Sequence, residues 1–237
     1  MTYLCIDIES TGIPAEGEVH GIMEVGRCRL KNGFIKPPES MLVDCGIPVS
    51  IGARATHHIS DEMVAGEPGS TDACLWLMGE DNEYFCAHNS DFDRKFFGGG
   101  EKLWIDTYKT ALRIWPDAPG HKLMELRYFL KLDDSEDFDP KLADPPHRAA
   151  PDAYVCAHLL RRILAEPKIT VEQLVRWSSG PALLYMCWMK AHKGKPWKEV
   201  PKSYLDWIVN KSDITDRDIR ATAKYYLTRP DRTDYQP

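Results

Sequence analysis

Between residues 83 and 166 short apolar runs alternate with segments of helical spacing, which restricts this part of the chain to a sheet with helices packed on its faces. Residues 83–87 read as a strand, 91–97 as a short helix, 103–105 as a strand and 106–115 as a helix. Leu123, Leu126, Phe129 and Leu130 repeat at helical spacing. Ala153, Cys156, Ala157, Leu160 and Leu164 mark a helix that runs to Glu166, with Pro151 in its first turn. Ahead of this stretch, residues 3–8, 22–30 and about 41–45 read as strands, with Lys31-Asn32-Gly33 as a hairpin turn. Ser60-Asp61-Glu62 is expected to cap one helix, and Ser70 or Thr71 to start another that ends at Met78. The acid-rich residues 133–146 are expected to form an exposed loop that Pro145-Pro146 closes. The sum is an α/β fold of five strands.

Charge divides the chain in two. Residues 1–166 hold 17 Lys and Arg against 28 Asp and Glu, and residues 167–237 hold 13 against 8. An acidic front part repels a polyanion unless cations neutralise it, whereas a basic tail attracts one. Together with a linker-like Pro167-Lys168-Ile169 and four of the seven tryptophans beyond it, this places a first domain at 1–166 and a small module at 167–237. The seven cysteines are scattered without a Cys-x-x-Cys pair, which suits buried free thiols better than disulfides or a zinc cage. The longest apolar stretch, residues 182–189, is far below the roughly 20 residues that span a bilayer. The first residues lack a basic segment before Asp7, so a cytoplasmic protein is expected.

Asp7 and Glu9 stand at i and i+2 on the first strand, so both carboxylates leave the same face. Two such acids repel each other unless a divalent cation sits between them, and hard oxygen ligands suit Mg²⁺ or Mn²⁺. A solvated strand end accounts equally well for the pair alone. His88-Asn89-Ser90-Asp91-Phe92-Asp93 follows the apolar run 84–87 and opens a helix. Asp91 reads as a cap or a partner of the helix dipole, and Asp93 as the candidate ligand. His147 lies in a proline-flanked loop five residues before Asp152, which opens the next helix. That spacing lets an imidazole swing over a cation that the aspartate holds.

The chain resembles the DnaQ-like, or DEDDh, 3′-to-5′ exonucleases. The resemblance covers about residues 1–166 and is carried by Ile6-Asp7-Ile8-Glu9-Ser10-Thr11-Gly12, by His88 through Asp93, and by His147-Arg148-Ala149-Ala150-Pro151-Asp152-Ala153. Ile22-Met23-Glu24-Val25-Gly26, Thr56-His57-His58-Ile59-Ser60 and Asp106-Thr107 are similar to minor family features in the expected order. The resemblance implies a ribonuclease H-like fold with a mixed five-stranded sheet, with Asp7, Glu9, Asp93 and Asp152 holding two divalent cations and His147 as general base. It further implies release of nucleoside 5′-monophosphates from single-stranded or frayed DNA 3′ ends. Ser10, Thr11, Gly12, Asn89, His58 and Phe92 are the expected substrate contacts. His58 stands where the family often has glycine, and residues 14–20 form a short charged loop, departures that bear on substrate fit. RNA as the polymer, and a silent nucleic-acid-binding or polymerase-associated subunit, are the alternatives.

The tail interleaves lysines with aromatics across Lys193-Gly194-Lys195-Pro196-Trp197-Lys198 and Tyr204-Leu205-Asp206-Trp207. It resembles the small C-terminal module of exonuclease X-like proteins, although Cys187-Trp188-Met189-Lys190 departs from the pattern there. Two readings stand. It is either a patch that tracks a nucleic-acid backbone or a small core of Trp188, Trp197, Leu205 and Trp207 ringed by solvated lysines.

Overall fold

The computed structural model describes residues 1–13 and 18–228; residues 14–17 of the short charged loop and the last nine residues of the expected C-terminal module lie outside them. The chain opens with β1 (Thr2–Ser10), β2 (Ile22–Lys31), β3 (Phe34–Ile35) and β4 (Glu39–Leu42), followed by α1 (Ile51–His57), α2 (Asp61–Val64) and α3 (Ser70–Met78). Strand and helix then alternate through β5 (Tyr84–Ala87), α4 (Ser90–Phe96), β6 (Leu103–Asp106) and α5 (Thr107–Ile114). Two longer-separated helices complete this part, α6 (Leu123–Phe129) and α7 (Ala149–Leu164). Beyond them come α8 (Val171–Ser179), β7 (Met186–Cys187), β8 (Lys195–Pro196), α9 (Lys202–Asn210) and α10 (Arg217–Thr228).

The sheet is mixed and six-stranded, in the order β3-β2-β1-β5-β6 with β4 also on β2. β1 runs antiparallel to β2 and parallel to β5, and β5 runs parallel to β6. The five-stranded expectation is corrected by one strand, because Pro37-Pro38 lack the N–H groups a ladder needs and split the outer strand into β3 and β4. α1 was not expected. Ser50 caps it by accepting from Ala53 N at 3.2 Å.

Strand alternation sorts the two faces. Leu4, Ile6 and Ile8 of β1 pack with Phe85, Ala87, Trp104 and the apolar side of α3. Tyr3, Cys5, Cys28, Leu30 and Cys86 pack on the opposite face with α5, α6 and α7. Burying each large side chain of this kind is worth about 1.5–3 kcal/mol. Five of the seven cysteines are buried and all are free thiols, as the spacing predicts. α8 lies past the expected boundary at 166, yet it contributes Leu174 to this second face's core. Cys187, Trp197, Val200, Leu205, Ile208, Ile219 and Ala223 form a separate core around α9 and α10.

Most of the acid-rich stretch 133–146 is exposed, as its composition suggests, but it is anchored at its buried residues Phe138 and Ala143. Phe138 is buried against the rings of Tyr154 and His158, at 5.4 and 4.7 Å. Arg127, itself buried, bonds Asp133 Oδ1 at 2.8 Å and the Ala143 carbonyl, and Arg161 bonds Asp137. Through Asp133, Asp144 and Asp137 these two arginines hold the stretch beside α7, on which Phe138 packs. Among the described residues no helix is long and apolar enough to cross a membrane.

α7 meets the sheet most closely at Gly26. A Cβ built there would overlap the backbone carbonyl of Ala149, so only glycine allows the helix to seat. Gly26→Ala is expected to destabilise the protein by roughly 1–3 kcal/mol, as overpacking does. Because α7 also carries Asp152, the same variant should lose activity at temperatures where it remains folded. Urea titration together with an activity assay on the folded variant checks both parts.

Candidate active site

β1 continues its α7-facing row from Tyr3 and Cys5 to Asp7 and Glu9, so the apolar core changes into an acidic rim within one strand. In register, Asp7 faces Gly26 and Glu9 faces Glu24 on β2. The close approach at Gly26 brings the first turn of α7 over this row. One carboxylate oxygen each from Asp7, Glu9 and Asp152 then lie within 4.8 Å of one another. Asp93 enters from α4 and is only 3 % exposed. It falls outside that tight trio but close enough for its charge to act on Asp7.

The electrostatics are those of a site built for cations. Withdrawal from solvent, then the charges of Asp152, Glu9 and Asp93, hold the Asp7 carboxyl well above its ordinary range. Burial and then the charges of Asp152 and Glu24 push Glu9 up to about 7, with Arg148 opposing. Burial also raises Asp152 to about 7, although it accepts a hydrogen bond from His147 N. Asp93 is raised chiefly by burial. Asp93 Oδ1 and Asp152 Oδ1 are both buried with no hydrogen-bond partner among the described residues. Two orphaned carboxylate oxygens within a repelling group are what an oxygen-ligated divalent cation would satisfy.

A second set of contacts, which the sequence reading did not single out, holds the acids in place. Buried Glu24 accepts from Arg148 Nε and Nη2, both at 2.8 Å, and from Ala149 N at 3.0 Å. This bidentate pair fixes the start of α7 between His147 and Asp152. Buried Asp106 accepts from Asn89 N, Ser90 N, Ser90 Oγ and Lys109 N, and so pins the turn that leads to Asp93. Asp91 points outward to Lys109 Nζ at 2.7 Å, which separates it from Asp93 as expected.

His147 is exposed, with a φ of 60°, and its backbone N–H donates to Asp152 Oδ2 at 3.3 Å. That bond ties the backbone at 147 to Asp152 and leaves the residue exposed. Next to Glu9 lies a cleft of about 340 Å³ lined by Ser10, Gly12, Ile13, Ala53, His57 and Phe92, among others. Ser10 Oγ donates to Gly12 O at 2.7 Å, and Thr11 Oγ1 accepts from Gly21 N, so Thr11 braces the turn from within. Asn89 is exposed at the start of α4 with a φ of 70°. His58 is not brought to the cleft. It is the exposed end residue of α1 with a φ of 60°, a backbone position that explains the family's glycine there. Its neighbour His57 is the one that lines the cleft. His57 Nδ1 accepts from Ile59 N at 3.0 Å, so Nε2 carries the proton that it donates to Ser10 O at 3.1 Å. Burial lowers its pKa, which keeps the ring neutral.

Comparison with known proteins gives consistent results. A family model described as RNase_T, Exonuclease, matches residues 4–160. Exodeoxyribonuclease 10 of Escherichia coli K12 is 32% identical over 229 residues, covering 94% of this chain and 97% of that protein. The PolC-type DNA polymerase III of Listeria monocytogenes is 26% identical over 70% of this chain but only 12% of its own length. A solved structure of exonuclease X in complex with 5′ overhanging duplex DNA superposes with a TM-score of 0.64 at 33% identity, covering 74% of this chain and 99% of that one. The nuclease domain of 3′hExo, a DEDDh family member bound to rAMP, shares the fold with a TM-score of 0.54 at 18% identity, over 70% of this chain and 92% of its own.

Without divalent cations, Asp152 should titrate near 7 instead of at 3.8. A carboxyl whose pKa folding raises adds most to stability below its unfolded value, and that contribution is lost as pH rises through the folded value. Asp152→Asn is therefore expected to be more stabilising, relative to wild type, as pH climbs from about 4 to about 7. Urea unfolding of both proteins in EDTA across that window measures it, and a difference independent of pH would show that Asp152 is not raised.

Proposed function

Because the chain belongs to the RNase_T exonuclease family, whose model spans residues 4–160, we propose that it removes nucleoside 5′-monophosphates from the 3′ ends of DNA with the help of divalent cations. The observation that carries this reading is the convergence of Asp7, Glu9 and Asp152 within 4.8 Å, with the charge of buried Asp93 acting on Asp7, next to a cleft that Glu9 lines. DNA is favoured as the polymer because the relatives that match over most of their length are an exodeoxyribonuclease and a DNA-bound exonuclease.

Asp7, Glu9, Asp93 and Asp152 would hold a pair of Mg²⁺ or Mn²⁺ ions, their donor set being all oxygen. When bound, such ions neutralise the acids, polarise the scissile phosphate and make water a better nucleophile. The chain's own groups supply the rest. His147, tethered through its N–H to Asp152, takes the proton of the attacking water. Its exposure leaves the ring free to pass that proton to solvent between turnovers. Ser10 and Gly12 present polar backbone to the terminal sugar, and Phe92 offers a ring face to its base. Neutral His57 stiffens the Ser10 carbonyl at the cleft wall. The proposal takes residues 1–166 as the catalytic unit and 167–237 as an appended basic unit, with α8 serving as the seam that packs on the former.

A 5′-labelled single strand incubated with pure protein and Mg²⁺ or Mn²⁺ should shorten stepwise from its 3′ end. Shortening should stop in EDTA and in Asp7→Ala, and a matched RNA strand should be cut more slowly. An undigested DNA strand at every cation concentration would refute the proposal. His147→Ala is expected to lower turnover by about 10²- to 10⁴-fold while cation binding persists. Wild-type turnover by that variant across about pH 6 to 9 would remove the base role.

A further inference from the structure

The small core around α9 leaves part of its aromatic complement outside. Residues 186–211 hold six lysines against two acids. Trp197 is sealed in the core, with its Nε1–H donating to Met186 O at 3.1 Å. Trp188 and Trp207 are different, being 58% and 40% exposed. Between them lies Tyr204, whose ring stacks on Trp207 at 5.3 Å and meets the edge of His192 at 4.5 Å. The Tyr204 hydroxyl reaches Met189 Sδ at 3.9 Å, which holds the segment after Trp188 against α9. Trp207, Tyr204 and His192 therefore form one aromatic row, and exposed Trp188 precedes the methionine that touches it. Of the four residues expected in the small core, Trp197 and Leu205 are buried, whereas Trp188 and Trp207 are exposed.

Lys198 pairs with Asp117 and Lys211 with Asp206. Lys190, Lys193, Lys195 and Lys202 are exposed and have no carboxylate partner among the described residues. Solvated lysines alone need no explanation, and neither does one exposed tryptophan. A stacked aromatic row left in water and edged by unpaired cations combines the two features that hold an unpaired strand, namely base-stacking faces and phosphate-neutralising charge. A protein partner fits less well, since lysine is depleted in the centre of protein interfaces. A second copy of the same face would set lysines against lysines.

We propose that this face, built on Trp188, Tyr204 and Trp207 with Lys190 and Lys193, binds single-stranded nucleic acid. It rests on the exonuclease reading only in taking that strand to be the substrate's own. The face then acts as a holding site separate from the acidic cleft, with stacking that tolerates any base sequence.

The test uses the full chain in EDTA, so that binding is read without cleavage, and a labelled oligothymidylate of about 20 nucleotides, longer than one small domain usually covers. Fluorescence anisotropy should show affinity falling on the order of tenfold in Trp188→Ala with Trp207→Ala. Trp188→Phe, which keeps a stacking face, should regain most of the loss. Lys190→Gln with Lys193→Gln should flatten the slope of log affinity against log salt by about 1.4, at roughly 0.7 per phosphate contact on a single strand. Thermal melts of each variant establish that it is folded. Unchanged affinity and slope in folded variants overturn the proposal, as does a wild-type dimer in sedimentation that Trp188→Ala dissolves. A chain that binds but never cuts overturns the exonuclease reading and leaves this one standing; cutting with binding unaffected by the variants does the reverse.

Discussion

Everything about this fold turns on the mutual repulsion of carboxylates gathered at the end of β1. Asp152, Glu9 and Asp93 all raise Asp7, and Asp152 also raises Glu9. Such a group does not form by itself. It exists because the surrounding apolar contacts and two positioning networks outweigh its repulsion. The α7-facing row of the sheet supplies the first part: Tyr3, Cys5, Cys28, Leu30 and Cys86 bury α7 along most of its length and leave its first turn over the acids. Gly26 then sets how near that turn comes.

The two networks divide the work between the helices that deliver Asp152 and Asp93. Glu24 accepts three hydrogen bonds, two from Arg148 and one from the Ala149 N–H, so both oxygens of a buried carboxylate are paired and the helix start is held. Asp106 does the equivalent for the turn at Asn89 and Ser90 by accepting four hydrogen bonds. In both cases a satisfied carboxylate lies behind an unsatisfied one. That contrast is the physical mark of the site: the supporting acids have their donors, and the orphaned oxygens of Asp93 and Asp152 do not.

Much of this was legible in the residues. The i, i+2 spacing of Asp7 and Glu9 dictates a shared face, and the choice of Asp93 over Asp91 agrees with one pointing inward and the other paired to Lys109. Other features depend on contacts far apart in sequence. Glu24 reads as one acid in an apolar strand, and nothing local says that Arg148, more than a hundred residues on, will meet it. The cleft uses His57 in place of His58 because the left-handed turn at 58 points that side chain away, a backbone fact that side-chain chemistry does not announce. The acidic stretch 133–146 looked solvated by composition. Most of it is, but Phe138 and Ala143 are buried where Arg127 and Arg161, from α6 and α7, pair with Asp133 and Asp137.

The charge asymmetry of the chain follows from the same constraint. A nuclease whose cleft gathers acids presents a negative face to a negative polymer until cations arrive, and even then the cleft grips little more than the last nucleotide. Lysines placed beside the acids would pair with them; the excess positive charge of this chain lies instead beyond residue 166, around a separate core that includes Trp197 and Ala223. α8 links the part of the chain beyond residue 166 to the acids. Its Leu174 is buried in the core shared with α7, and Ser178 Oγ at its end accepts from the backbone N–H of Asp106, the residue that pins the turn before Asp93. The packing of α8 and the placing of Asp93 therefore rest on one hydrogen-bonded scaffold.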